Sequence, residues 1–207
     1  MKLRQVLYFL SMLLIVFSCK EVDPNKQIDE GHVSNGVYTS KEIGWSILIP
    51  NGWKIITKAQ SDKFTQKGKD AAKDVYGVEI DDSEVKDLIS FQKNIFNAFM
   101  SNLEHYKETY EGEWSEDNAE LKYYMYDMYK SKGLDIDTTA TTIVRIDGLD
   151  FECFEFTLKA PNGTVVLNQL MYANLINGHS FGVNINYNNE KYKKEMLKAL
   201  FDSQFRK

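Results

Sequence analysis

The stretch that decides the fold runs from Thr139 to Tyr187 and reads TATTIVRIDGLDFECFEFTLKAPNGTVVLNQLMYANLINGHSFGVNINY. Three turn dipeptides divide it at intervals of 15 residues: Asp147-Gly148, Asn162-Gly163 and Asn177-Gly178. Asp-Gly and Asn-Gly favour type I′ hairpin turns, because both central residues of that turn need a positive φ. The spacing therefore predicts a four-stranded antiparallel meander, with strands at Thr139–Ile146, Leu149–Ala160, Thr164–Ile176 and Ser180–Tyr187.

The last strand of this meander has two faces of different character. Apolar and polar residues alternate along it, with Phe181, Val183, Ile185 and Tyr187 on one face and Ser180, Gly182, Asn184 and Asn186 on the other. Strict alternation is typical of a strand that packs on a core with one side only. We expect the apolar face to be buried and a terminal helix, capped by Asn188 or Asn189, to follow.

Upstream of the meander, the patterns predict two further helices and several strands. Trp45–Ile49 alternates as a strand and stops at a Pro-Asn-Gly turn. Helices are expected at Ser61–Tyr76, ended by Gly77, and at Ser115–Lys132, capped by Ser115. The segment from Leu88 to Tyr106 fits either a helix or two strands joined near Lys93-Asn94, and we favour the two strands, in part from the resemblance described below.

The N-terminal residues have the composition of an export signal. A basic start, Met1 to Gln5, precedes an apolar run from Leu7 to Phe17 that is too short for a transmembrane helix of about 20 apolar residues. Cys19 resembles the cysteine of a bacterial lipobox, although Phe17 stands where a smaller residue is common. The resemblance implies that residues 1–18 are a signal peptide and that Cys19 carries acyl chains such as palmitate. An uncleaved signal anchor and an ordinary cleaved signal are the alternatives.

Residues 19–36 are predicted to be a lipidated flexible tether, and residues 37–207 a single α+β domain. The tether is polar and contains Pro24, Gly31 and Gly36, a composition typical of linkers. Its acidic start after Cys19 resembles surface-export signals of one group of Gram-negative bacteria. We therefore expect a lipid-anchored protein of the cell envelope, at the outer membrane and with surface exposure as a further option.

The charge balance restricts the class of partner. The chain has 25 Lys and Arg against 30 Asp and Glu, a net charge of −5 that becomes −7 once Lys2 and Arg4 leave with the signal peptide. Nucleic acids and anionic headgroups attract cationic surfaces, so neither is favoured as a partner. We expect contact with the membrane through the lipid anchor, an envelope protein as the candidate partner, and no nucleic acid.

No residue set has the spacing of a catalytic or metal-binding motif. His32, His105 and His179 lack Cys, His or carboxylate partners at metal-ligand spacing and are expected in solvent. The acidic run near Asp81 lacks the glycine and the terminal glutamate of a calcium loop. Cys153 lies in an apolar strand without basic neighbours, so a buried thiol is expected. The sequence predicts no enzymatic activity, no metal and no cofactor.

Aromatic residues crowd the region of the second predicted helix: Tyr106, Tyr110, Trp114, Tyr123, Tyr124, Tyr126 and Tyr129. Most aromatic residues at helical spacing belong to a core, and we expect this for most of the group. Tyr123 and Tyr126 lie on the helix face opposite Leu121 and Met125. If they are exposed, they suit a partner surface, since tyrosine is enriched at interfaces.

Three motifs together resemble the PsbP-like superfamily, which includes bacterial DcrB-type lipoproteins. They are the strand ending at Pro50 before Gly52-Trp53, the segment Ile146–Glu152 that leads into the meander, and Asn186-Tyr187 before a closing helix that ends at Ser203-Gln204-Phe205. The resemblance covers Val37 to Phe205. It implies an α+β fold in which an antiparallel β-sheet is sandwiched by helices.

The same resemblance implies a small accessory, assembly or binding protein without catalysis. Two functions stay open. The first is a membrane-tethered, non-enzymatic binding or assembly module of the envelope. The second is a carrier or sensor of a small apolar or glycan ligand, held in a pocket between sheet and helices near Trp45, Trp53 or the tyrosines.

Overall fold

The computed structural model describes residues 22–206. The strands in this range are β1 (His32–Ser34), β2 (Val37–Thr39), β3 (Trp45–Leu48), β4 (Lys54–Ile55), β5 (Val85–Asp87), β6 (Phe91–Asn94), β7 (Asn97–His105), β8 (Asp135–Thr138), β9 (Thr142–Ile146), β10 (Leu149–Lys159), β11 (Val165–Ile176), β12 (His179–Tyr187) and β13 (Gln204–Phe205). The α-helices are α1 (Lys58–Tyr76), α2 (Glu113–Ser131) and α3 (Glu190–Phe201), and a short 3₁₀ turn covers Pro24–Lys26. Not one helix in this range has the length and apolar character to cross a membrane.

The larger of two sheets contains the predicted meander. Its strand order is β4-β6-β7-β12-β11-β10-β8, with β5 paired to β7 and β9 paired to β10, and all pairs are antiparallel. At the first and last turns Asp147 and Asn177 have φ of 44° and 52°, and the glycine after each also has a positive φ. These two turns set the register of β9 with β10 and of β11 with β12. The middle turn differs from the prediction, because Asn162 has no positive φ, the loop is closed by a hydrogen bond from Ala160 N to Thr164 O, and the pairing of β10 with β11 is irregular at Leu158/Lys159. The meander itself is confirmed.

The ambiguous segment before the second helix forms strands β6 and β7, as favoured. Their turn lies at Ile95 and Phe96, two residues beyond the expected position. The first meander strand is shorter than predicted, since β9 begins at Thr142 rather than Thr139. The far end of β10 pairs instead with β8, where Thr138 lies opposite Phe156.

One face of the large sheet carries the main hydrophobic core. The small sheet, in the order β1-β2-β3-β13, packs on this face together with α3. Trp45 of the small sheet is fully buried, and its ring centroid lies 4.8 Å from that of Phe181 on β12. Met196 and Leu200 of α3 fill the rest of the layer. The apolar half of β12 is thus buried, as its alternation predicts.

The opposite face is covered by α1 and α2. Met125 and Tyr129 of α2 pack on a second apolar cluster that includes Phe154 and Phe156 of β10. In α1, Ala72 is the buried residue, and the helix is attached largely through α2, where the Tyr76 and Tyr124 rings lie 5.3 Å apart. Helices therefore lie on both faces of the sheet, and the predicted α+β sandwich is confirmed.

The ends of two helices differ from the predictions. Helix α1 begins at Lys58 rather than Ser61, because Thr57 and Gln60 form a reciprocal capping box. Helix α2 begins at Glu113 after Gly112. The hydroxyl of Ser115, the predicted cap, donates a hydrogen bond to Glu152 of the sheet.

The segment predicted to be a flexible tether is folded from Pro24 onward, which corrects the domain boundary at residue 37. Asn35 and Gly36, with φ of 50° and 75°, form the turn between β1 and β2. The Asn25 amide donates to Val33 O at 3.0 Å and accepts from Val33 N at 2.7 Å. These bonds attach residues 24–36 to the small sheet.

Polar contacts also tie this segment to the rest of the domain. Asp29 accepts hydrogen bonds from Lys58 Nζ at 2.6 Å and from Asp87 N at 3.0 Å. The Glu30 carboxylate accepts a hydrogen bond from the Tyr38 hydroxyl at 3.2 Å. The predicted signal peptide, Cys19 and Lys20-Glu21 lie outside the described residues.

Candidate functional site

A cleft with a volume of 310 Å³ lies between the second face of the large sheet and helices α1 and α2. We call it the sheet cleft. Strands β7 and β12 supply its polar floor, β5 and β7 supply acidic groups, and the helices supply its walls. The residues that define it are Asp87, Met100, Asn102, Glu104, Met171, Ser180, Gly182 and Asn184 of the sheet and Ser61, Phe64, Thr65, Asn118 and Leu121 of the helices.

The floor is open because small residues occupy its middle. Gly182 pairs with Asn102 of β7 on one side and with Ala173 of β11 on the other. A Cβ atom on Gly182 would lie 2.6 Å from Asn102 Oδ1, so a larger residue at this position would require the Asn102 side chain to move. Since α1 rests mainly on α2, it bridges this space and does not fill it.

The polar face of the large sheet contains buried amide oxygens without protein partners, and one of them, Asn184 Oδ1, belongs to a residue that lines the cleft. Asn184 Oδ1 and Asn186 Oδ1 are buried and accept no hydrogen bond from any side chain or backbone group in residues 22–206. Gln92 is 8% exposed, and its Oε1 is likewise buried without a hydrogen-bond donor in these residues. It lies on the same sheet face as Asn186, and Ala98 of β7 lies between the two residues. Each such group costs about 1–3 kcal/mol. In native proteins they generally accept bonds from water or a ligand.

The charge of the sheet cleft is negative. Asp87 and Glu104 are the acidic residues of its lining, on adjacent strands in a register that pairs Asp87 with Asn102. Burial raises the pKa of both carboxyl groups, and the nearby Glu84 raises that of Glu104 further. A hydrogen bond from Ser61 opposes the increase in the pKa of Asp87. Both carboxylates would gain from a cation in the cleft.

Replacing Asp87 by asparagine tests this charge. Because folding raises the pKa of Asp87, its stabilising contribution is full below the unfolded-state pKa and is lost as pH rises through the raised folded-state value. Asp87→Asn cannot ionise, so its free energy of unfolding relative to the wild type should be higher at pH 7 than at pH 3.5. Urea titrations at both pH values measure the difference. Exposed Glu111→Gln is the control, and an equal pH trend in both variants would contradict the prediction.

A second concave surface lies on the other side of α2. We call it the tyrosine groove, with a volume of 640 Å³, and it is lined by Ala119, Lys122, Tyr123, Tyr126, Asp137, Thr138 and Thr141. Tyr123 is 74% exposed and Tyr126 is half-buried. Lys122 Nζ donates to Thr139 O at 2.6 Å, and burial lowers the pKa of this lysine. The structure thus brings both tyrosines of the predicted partner surface to one groove.

The remaining aromatic residues of this region are mostly outside the core, contrary to expectation. Trp114 is buried and donates to Ser180 Oγ at 2.9 Å, whereas Tyr110 and Tyr124 are 52% and 53% exposed. The reason is helical phase, since the stripe of α2 that faces the sheet contains Trp114, Asn118 and Met125. Tyr124 faces α1 instead.

The exposure of the cysteine thiol and of two of the three histidines agrees with the predictions. Cys153 is 7% exposed, and burial raises the pKa of its thiol. His32 and His105 are exposed, as expected, but His179 is not solvated. Its ring lies 5.6 Å from that of His105, and its Nε2 lies 3.3 Å from Glu42 Oε2.

The acidic run is a surface turn, in which Lys69 Nζ contacts Asp82 at 2.7 Å and Asp81 accepts from Ser83 N at 3.0 Å. Within residues 22–206, no three His, Cys, Asp or Glu side chains converge in a way that could hold a metal ion.

The two tryptophans near which a pocket was expected lie in different parts of the fold. Trp45 lies in the core, away from the sheet cleft. Trp53 lines a separate surface depression at the sheet edge, and its Nε1 donates to Glu195 at 2.8 Å. The sheet cleft was not among the features predicted from the sequence. Its signal in the sequence is the polar or small face of β12, which consists of Ser180, Gly182 and Asn184.

The fold defines an α+β protein of PsbP-like architecture. A solved neighbour is the solution structure of cyanobacterial PsbP (CyanoP) from Synechocystis sp. PCC 6803, with a TM-score of 0.52 over 85% of this chain and 96% of that chain. The sequence identity is 13%, so the likeness is one of fold. No protein-family model and no curated protein match the sequence.

Proposed function

We propose that this chain is a membrane-tethered, non-enzymatic binding module of the bacterial cell envelope, and that it holds a small ligand in the sheet cleft. The observation that carries the proposal is Asn184 Oδ1, a buried acceptor without a partner at the floor of the cleft. Acceptors placed beside apolar side chains are typical of recognition sites, where a few polar groups orient a ligand. Carrier and sensor are both roles that such a module can have.

Tethering follows from the lipobox-like end of the leader. We propose that cleavage before Cys19 leaves a lipidated protein of the DcrB type at the outer membrane. One acyl chain gives only reversible attachment, whereas two or more give a stable anchor. With the folded part beginning at Pro24, only Lys20–Asp23 separate the anchor from the domain.

Substitution of Cys19 tests the anchor. We expect Cys19→Ser to abolish incorporation of labelled palmitate and to leave an uncut precursor, because the thiol is the site of acylation. Cys153→Ser is the matched control and should be labelled like the wild type, since its sulfur is buried in the domain. Palmitate in the Cys19→Ser protein would disprove the assignment.

Native mass spectrometry tests ligand binding. The lipidated wild-type chain, released gently from envelopes, should carry an additional small-molecule mass. A Thr65→Trp variant, in which an exposed residue on the cleft wall becomes large, should lack that mass. Lys63→Trp on the same helix does not line the cleft and should retain it. An unliganded wild type, or a mass retained in Thr65→Trp, would contradict the cleft.

A second candidate function is docking of an envelope protein at the tyrosine groove. It is favoured by the 74% exposure of Tyr123 beside half-buried Tyr126. We expect a partner captured from solubilised envelope by the wild type to be lost with Tyr123→Ala/Tyr126→Ala, by at least about tenfold, as for aromatic hot spots. Tyr110→Ala, an exposed tyrosine outside the groove, is the control. Equal recovery by both variants would exclude this surface.

A further inference from the structure

The lining of the sheet cleft has a consistent chemical preference. Its acidic side chains are the carboxyl groups of Asp87 and Glu104, and no lysine, arginine or histidine is among its lining residues. The charge of Lys58 lowers the pKa of Asp87, but the ammonium group of this lysine is bonded to Asp29 at 2.6 Å. An anionic ligand would meet two negative groups without a counter-charge, whereas a cation would meet two partners.

The polar groups of the floor add acceptors to this charge. Asn184 Oδ1 is buried and unpaired, and Asn102 lies over Gly182 on the neighbouring strand. An ammonium group offers three donors and no acceptor, so carboxylate and amide oxygens are both suitable partners for it. Bonds from a charged donor are roughly twice as strong as those between neutral groups.

The rest of the cleft is apolar and adaptable. Met100 and Met171 flank Asn184 in register, on β7 and β11 respectively. Phe64 of α1 and Leu121 of α2 form the facing walls. Methionine side chains adjust to irregular shapes, and an aromatic face attracts a cation. An aliphatic chain attached to the ammonium group would lie along these residues.

We propose that the sheet cleft binds an alkylammonium, a protonated primary amine on an unbranched aliphatic chain. The proposal rests on the proposed function and specifies the ligand class of the same site. Free amines and the side chain of a lysine both present this chemistry. The raised pKa of Asp87 and Glu104 agrees with it, because a bound cation would favour the charged form of both carboxyl groups.

Methionine-methyl NMR on the lipidated chain in nanodiscs of zwitterionic lipid tests the proposal. Met100 and Met171 report on the cleft, whereas Met196 is fully buried on the opposite face of the sheet and is the internal control. We expect hexylammonium to shift the two cleft signals and leave Met196 unchanged. Hexanol should bind at least about tenfold more weakly, and hexanoate should not bind.

Variants distinguish the contribution of the two carboxylates to binding from that of the open space in the cleft. Asp87→Asn/Glu104→Gln should weaken hexylammonium by at least about tenfold and bring it close to hexanol. Glu111→Gln, an exposed carboxylate outside the lining, should leave binding unchanged. Thr65→Trp should abolish all shifts, and Lys63→Trp should retain them.

Each outcome has a definite meaning. Hexanol equal to hexylammonium, or no shift with hexylammonium, would overturn the ammonium proposal. A shift with a neutral disaccharide alone would overturn it too, but would leave the cleft as a binding site of another class. If the small molecule found by native mass spectrometry contains no amine, the ammonium proposal is wrong, but the cleft remains a binding site for another class of ligand. Binding of Nα-acetyl-lysine methylamide supports the proposal and indicates that the natural ligand is a lysine side chain of a peptide. Binding of hexylammonium but not of this lysine derivative supports the proposal and indicates a free amine.

Discussion

Replacing Phe181 by alanine is expected to lower the free energy of unfolding by about 3–5 kcal/mol. Phe181 is fully buried on β12, where the two sheets meet. Its ring lies 4.8 Å from Trp45, 6.1 Å from Phe151 and 5.9 Å from Phe205. Removal of the ring leaves a cavity between elements from three parts of the chain, and they cannot collapse together. Urea unfolding followed by tryptophan fluorescence measures the loss.

Phe96→Ala is the matched control for this prediction. Phe96 occupies the turn between β6 and β7 and is 45% exposed. Its truncation should change the free energy of unfolding by about 0.5 kcal/mol or less, as for most surface sites. A loss of similar size in both variants would show that the core is not centred on Phe181.

The second large effect is expected for Gly44→Ala, which should lower the free energy of unfolding by about 2–5 kcal/mol. Gly44 has φ of 67°, which costs an L-residue roughly 1–2 kcal/mol. A Cβ atom there would also overlap the carbonyl oxygen of Arg206, whose N–H donates to Gly44 O at 3.0 Å. To relieve the overlap, β13 must move away from β3, and crowding of this kind costs about 1–3 kcal/mol. Phe205 would then lose its place beside Trp45.

Gly36→Ala separates the two causes. Gly36 also has a positive φ, 75°, but a Cβ atom there meets no atom within 4 Å. Only the backbone cost of roughly 1–2 kcal/mol is expected. Differential scanning calorimetry of both variants gives the comparison, and equal losses would mean that the contact with Arg206 has no effect.

Prediction from the sequence succeeded where local signals set the structure. The turns at Asp147-Gly148 and Asn177-Gly178 determined the register of two of the three hairpins, because a two-residue hairpin leaves no freedom in pairing. Alternation along β12 identified its buried face correctly. Gly77 ended α1, with φ of 68°. Each of these features depends on neighbours within a few residues.

The prediction of a flexible tether was wrong from Pro24 onward, although a local turn signal is present there. Asn35-Gly36 is the same kind of turn dipeptide as those of the meander, and it makes β1 and β2 a hairpin. The polar composition around it favoured a tether, since few large apolar residues are present. Side-chain bonds from Asn25 and Asp29 compensate for that missing apolar area.

The sheet cleft could not be predicted for a different reason. Periodicity shows that Asn184 and Asn186 share a polar face, but it does not show which strand lies beside them or whether a helix covers them. Those facts depend on the pairing of β12 with β7, more than 70 residues away in the chain. Likewise, the sequence placed Tyr123 and Tyr126 on one helix face, but the opposing wall at Asp137 and Thr141 comes from later elements.

The attachment of the N-terminal segment has a consequence for where a ligand would be exchanged. Asp29 N donates to Asp87 O at 2.8 Å, so the acidic side of the sheet cleft is bonded to the chain that leads to the anchor. The four residues Lys20–Asp23 can span at most about 14 Å. With Cys19 lipidated as proposed, Pro24 is held within that distance of the anchor, and the domain is held at the bilayer surface. An alkylammonium amphiphile partitions into the interfacial layer, so a cleft in a domain held there would draw on a surface reservoir more concentrated than the bulk solution.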